Sequence, residues 1–71
     1  MREEFTSLLR AQPFVPFVFE TVDKETYQVP NVELLSVSKN GVILVLPDGM
    51  FRIFPFTAIL SINGRGLEVV I

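Results

Sequence analysis

From Asn40 to Phe54 the chain reads NGVILVLPDGMFRIF, two apolar runs around one tight turn. A hairpin half-facing water alternates apolar and polar residues, because successive side chains point to opposite faces. This one does not alternate. Taking Pro47-Asp48-Gly49 as a three-residue loop places Pro47 at i+1 of a type I turn and Gly49 at the left-handed position. A two-residue Asp48-Gly49 turn would instead put Pro47, which has no N–H, in a ladder position. In the preferred register Leu46 pairs with Met50, Leu44 with Arg52 and Val42 with Phe54. Ile43, Val45, Phe51 and Ile53 then form one wholly apolar face, expected as the core. The opposite face holds Val42, Leu44, Leu46, Met50 and Phe54, relieved only by Arg52, and it needs a cover.

The chain has little material to supply one. Its 71 residues make one domain, near the size at which a single core is marginal. Hydrophobic residues are 49% of the total, too many for intrinsic disorder, and the longest uninterrupted apolar run, Val42 to Leu46, is far too short to span a membrane. The net charge of −2 argues against an overall electrostatic grip on a phosphate backbone. With no Cys and no His, thiolate and imidazole chemistry is excluded, and a metal site would need oxygen ligands alone. No metal and no cofactor are expected. Met1 to Arg10 lacks the continuous apolar run of a signal peptide, so a cytoplasmic location away from membranes is the default expectation.

Only the start reads as helix. Phe5, Leu8 and Leu9 share a face, Glu3 and Glu4 open the first turn and Arg10 closes the last, an order that suits the helix dipole. Pro13 ends it, giving a helix within 1–12 that lies over a β core. Strands are predicted over 14–62. Phe17, Phe19 and Thr21 face one way in Pro16–Val22, and Asp23-Lys24-Glu25 makes a polar turn. Tyr27 and Val29 share a face, Pro30-Asn31 marks a bend or bulge, and Leu35 and Val37 resume that strand. Asn40-Gly41 turns the chain tightly. After Pro55-Phe56-Thr57, Ile59–Ile62 is a short strand, and 63–71 is an extension ending in a strand over Leu67–Ile71. The fold expected is mainly β, a short helix followed by five or six strongly bent strands in a small barrel.

Two resemblances follow from these motifs. "AQPFVPF" after a short helix, then "TYQVPNVELLSVS", "VILVLPDGMFRI" and "AILSI" resemble, over Met1 to about Ile62, a family of small bacterial proteins carrying P-F-x-P-F. Asp23-Lys24 stands where that pattern has Asp-Gly, Asn31-Val32 replaces His-Pro, and the tail from Asn63 runs beyond its usual end. In topology the chain is similar to the Sm/LSm-like, SH3-like barrel. That similarity implies ring assembly, with Phe51–Phe54 of one copy pairing with Ile59–Ile62 of the next, and it implies RNA as a ligand. The RNA-binding residues carry over poorly: Pro55-Phe56 stands where the bacterial type has Lys-His, and Arg65-Gly66 falls after the last strand.

Catalysis has few candidates. The eight carboxylates are scattered, Ser36 and Ser38 have no base to activate them, and no Gly-rich phosphate cradle is present. A non-enzymatic, self-assembling binding or scaffold module is therefore expected, a homo-oligomer whose interface is Val42, Leu44, Leu46, Met50, Phe54, Ile59 and Ile62. Burying each such side chain contributes roughly 1.5–3 kcal/mol, more in sum than a lone domain this small has in reserve. A different protein seated in an apolar groove is a further option. The alternative function is RNA binding through Lys39, Asn40, Arg52 and Arg65, the best set of cations and polar residues near aromatics.

Overall fold

The computed structural model describes residues 1–63. The strand expected over 67–71 and the candidate Arg65 lie outside the described residues. Helix α1, Arg2–Arg10, precedes six strands: β1 Phe17–Thr21, β2 Thr26–Val29, β3 Leu35–Val37, β4 Gly41–Val45, β5 Phe51–Pro55 and β6 Ile59–Asn63. They form two antiparallel three-stranded sheets, in the orders β2-β1-β6 and β3-β4-β5. No closed barrel of paired strands is found among the described residues. The expected long second strand is split by a 3-10 turn at Val32–Leu34, which follows Pro30, a residue with no N–H to continue a ladder. A second 3-10 turn, Phe56–Ala58, carries the chain from β5 to β6.

Phe5, Leu8 and Leu9 seat α1 on the core, with Phe5 fully buried. Acidic Glu3 and Glu4 in the first turn lie 3.7 and 3.1 Å from the terminal amine. Phe17, Phe19 and Thr21 face inward, as their period of two requires. The centre is aromatic. The Phe5 ring meets Phe19 edge-on at 5.6 Å, Phe19 meets Phe54 at 5.3 Å, and Phe54 meets Tyr27 at 4.8 Å. Such pairs add about 0.5–1.5 kcal/mol each beyond the area they bury. One line of rings thus ties the helix to both sheets.

The β4–β5 hairpin has the register its loop residues dictate: Val42 faces Phe54, Ile43 faces Ile53, Leu44 faces Arg52 and Val45 faces Phe51. Gly49 N donates to Leu46 O, Leu46 N donates to Met50 O, and Gly49 has φ +90°. The β1–β2 turn repeats that geometry. Lys24 N donates to Thr21 O, Thr21 N donates to Glu25 O, and Lys24 occupies the left-handed position with φ +71°.

Which hairpin face turns inward is the reverse of expectation. Val42, Leu44 and Phe54 are core, at 0%, 2% and 6% exposure, whereas Phe51 and Ile53 stand 64% and 66% exposed. Both faces are strongly apolar and the one carrying Arg52 is the inner one, so the pattern of residue types does not choose between them. The choice is made by the rings across the core, since Phe54 is the one that meets Phe19 and Tyr27. Arg52 shares the inner face without being buried. It sits at the rim with its guanidinium carbon 5.6 Å from the Tyr27 ring centroid and 5.5 Å from that of Phe54. Gly41 also differs from expectation. Its φ is not positive; a Cβ there would lie 2.2 Å from Phe54 O and 2.8 Å from Pro55 Cα, so close approach rather than turn geometry requires glycine.

Candidate functional site

The two sheets differ on their outer faces. Beyond the core side of β2-β1-β6 lie Val18, Glu20, Thr26, Gln28 and Ser61, placed there by the pairs Val18–Gln28, Glu20–Thr26 and Glu20–Ser61. Beyond the core side of β3-β4-β5 lie Ser36, Ile43, Val45, Phe51 and Ile53. The first face is mostly polar, with Leu60 exposed where the β1–β6 ladder bulges. The second is oil with one hydroxyl at its margin, and Val45, Phe51 and Ile53 are all exposed.

The interface expected from the sequence is corrected accordingly. Val42, Leu44, Phe54 and Ile59 belong to the chain's own core and offer no surface to a partner. Leu46 and Ile62 are half-buried against that core, and Met50 alone of the set is exposed, at the hairpin tip. Nothing in the residue types distinguishes the true outer face; only the aromatic packing across the core does.

The polar cluster nearest this hairpin joins β2 to β5. Arg52 Nη1 donates to Tyr27 Oη at 2.7 Å, and the Tyr27 hydroxyl donates to Glu25 Oε1 at 2.6 Å. The hydrogen bond to Glu25 raises the phenol above its ordinary value near 10, burial adds to the rise, and the Arg52 charge opposes it. Beside it, Thr21 Oγ1 donates to Asp23 Oδ1, which satisfies the one buried hydroxyl of β1. This arrangement orders a turn and a rim. No group of three or more metal-ligating side chains occurs among the described residues.

The nucleic-acid candidates do not converge. Lys39 and Asn40 form the β3–β4 turn, where Ser38 N donates to Gly41 O at 2.8 Å and Asn40 O accepts from Phe56 N at 3.0 Å. Arg52 pairs with Leu44, three residues past Gly41, so strand rise separates the two sites by on the order of 10 Å. The stack on Tyr27, a residue outside the expected set, was missed because the two lie 25 residues apart on different sheets.

A groove opens between the two sheets. It encloses about 520 Å³ and is lined by Tyr27, Leu34, Leu44, Val45 and Leu46, with Thr26 and Gln28 of β2 on one side and Pro30 and Pro47 also on its wall. No helix among the described residues is long and apolar enough to cross a membrane. No family model matches the chain, and no curated protein or solved structure matches it either.

Proposed function

We propose that the protein is a non-enzymatic, self-assembling binding or scaffold module, assembled through the outer face of β3-β4-β5. The observation that carries this reading is the contrast between the outer faces: a polar one, and one made of Ile43, Val45, Phe51 and Ile53. With large side chains offering roughly 200 Å² each, partial exposure leaves on the order of 350 Å² of apolar area per copy. Two copies face to face, with bordering Ser36, Pro55 and Met50, approach the ~1,000 Å² that a specific interface needs. A two-fold axis would set the same apolar patch of each copy against the other, and sheets pack face to face in this way.

The order of strands supports treating the two sheets as halves of one curled Sm-like barrel, with the groove as its open seam. In that arrangement a ring through the edges of β5 and β6 is the competing geometry. RNA binding has less support, because Arg52 is committed to Tyr27 and lies apart from Lys39 and Asn40.

Light scattering at micromolar concentration tests the assembly. A species of twice the 8.0 kDa chain is expected, and Ile53→Glu should reduce it to one chain. A wild-type mass near 8.0 kDa overturns the proposal. A larger ring mass that survives Ile53→Glu moves the interface to the strand edges.

A further inference from the structure

The groove beside β2 has a feature that the assembly reading does not use. Thr21 and Glu25 are a hydrogen-bonded pair, since Thr21 N donates to Glu25 O at 2.9 Å. Antiparallel ladders alternate, so Phe19–Tyr27 and Phe17–Val29 are hydrogen-bonded pairs as well. The N–H and C=O of Thr26 and Gln28 therefore point away from β1. β2 is an edge strand, and no other described strand takes up those groups. Both residues line the groove.

We propose that this edge is a strand-addition site, which receives an extended, uncharged apolar segment of a partner protein. Two donor–acceptor sets two residues apart recur at the repeat of a β-strand, about 6.6 Å, which a helix does not match. None of the nine lining residues carries a charge, in a chain with 14 charged side chains. A charged segment would lose its hydration there without a counter-charge. The side chains of Tyr27, Leu34 and Leu46, all only partly buried, offer apolar surface to alternate residues of the incoming strand. Edges that proteins keep unpaired usually carry Lys, Pro or a bulge. β5 has Arg52 and ends on Pro55, β3 is three residues long, and the β1–β6 ladder has a bulge at Glu20/Thr21. β2 is stopped only by Pro30, which limits the added strand to a short register.

The test uses a capped five-residue peptide alternating Thr and Val, added at 1 mM to the full chain, with amide exchange read residue by residue. Exchange at Thr26 and Gln28 should slow at least tenfold, while Tyr27 and Val29 stay unchanged. Methylating the central peptide nitrogen, or placing Lys at the Val positions, should abolish the effect. Gln28→Pro removes the outward N–H and should do the same in a chain whose circular dichroism is unaltered. Absence of protection by the neutral peptide overturns the proposal, as does equal protection by the charged one. Protection already present in the full chain, and lost on truncation after Asn63, overturns it in favour of the chain's own C-terminal residues. Ile53→Glu leaves this assay intact, so its outcome is separate from that of assembly.

Discussion

The outer surface of β2-β1-β6 carries Glu20, Thr26, Gln28 and Ser61 with Val18, and Leu60 is exposed where β6 bulges, whereas that of β3-β4-β5 carries Ile43, Val45, Phe51 and Ile53. Their inner surfaces are alike: both are packed with Phe, Val, Leu and Ile into one core. Since the first sheet folds with a polar exterior, a greasy exterior is not a requirement of this architecture. Under the proposed assembly, the oil on the second sheet serves contact with another copy. An exposed face of that kind otherwise invites non-specific association.

The sharpest way to break this contrast is inside one strand. Phe54→Ala should cost about 3–5 kcal/mol, enough to unfold a domain of this size, as read by denaturant titration. In the Ile53→Glu background, Phe51→Ala three residues away should change stability by no more than about 0.5 kcal/mol. Equal effects would mean that the two faces of β5 are not inner and outer. Next in size, Gly41→Ala must displace the Phe54 carbonyl, and about 1–3 kcal/mol of destabilisation is expected by the same titration. The matched turns give a smaller contrast. Lys24→Gly should stabilise by about 1 kcal/mol and Gly49→Ala destabilise by a similar amount, because one position carries a side chain in the left-handed region and the other does not.

The smallest effect is at the Arg52–Tyr27 rim, and it is cleanly readable because Tyr27 is the only tyrosine and the chain has no Trp. Its folded phenol titrates above the unfolded value, so the stabilisation is complete below pH ~10 and is lost as pH rises through the folded pKa. Ultraviolet titration of Glu25→Ala should show ionisation at lower pH than in the wild-type chain, since the largest cause of the rise is the Glu25 hydrogen bond. An unchanged midpoint would remove that hydrogen bond from the account.

Local chemistry was legible in advance. Glu3, Glu4, Arg10 and Pro13 delimited the helix, and Pro47 with Gly49 selected the hairpin loop and so its pairing. The bend at Pro30-Asn31 was visible, though not that it would divide one strand between two sheets. The orientation of the hairpin was not readable. Val42, Leu44 and Phe54 differ from Ile43, Val45 and Ile53 only in what crosses the core to meet them, and that is decided by Phe19 and Tyr27 far away in the chain. Arg52 misled for a related reason: a charge marks a wet position, but a rim is wet as well, and its stem rests on aromatic faces. An apolar groove was among the options read from the sequence, but its place and lining were not readable, because it arises where two sheets part.

The cramped contact at Gly41 has one last effect. Sliding β4 past β5 by a single residue would exchange the hairpin's oily sides, and hydrophobicity would hardly oppose the slip. Only a hydrogen atom fits against the Phe54 carbonyl, so Asn40 or Val42 brought to that spot would jam. Glycine thereby acts as a latch, holding one of two nearly degenerate pairings where greasiness itself is silent.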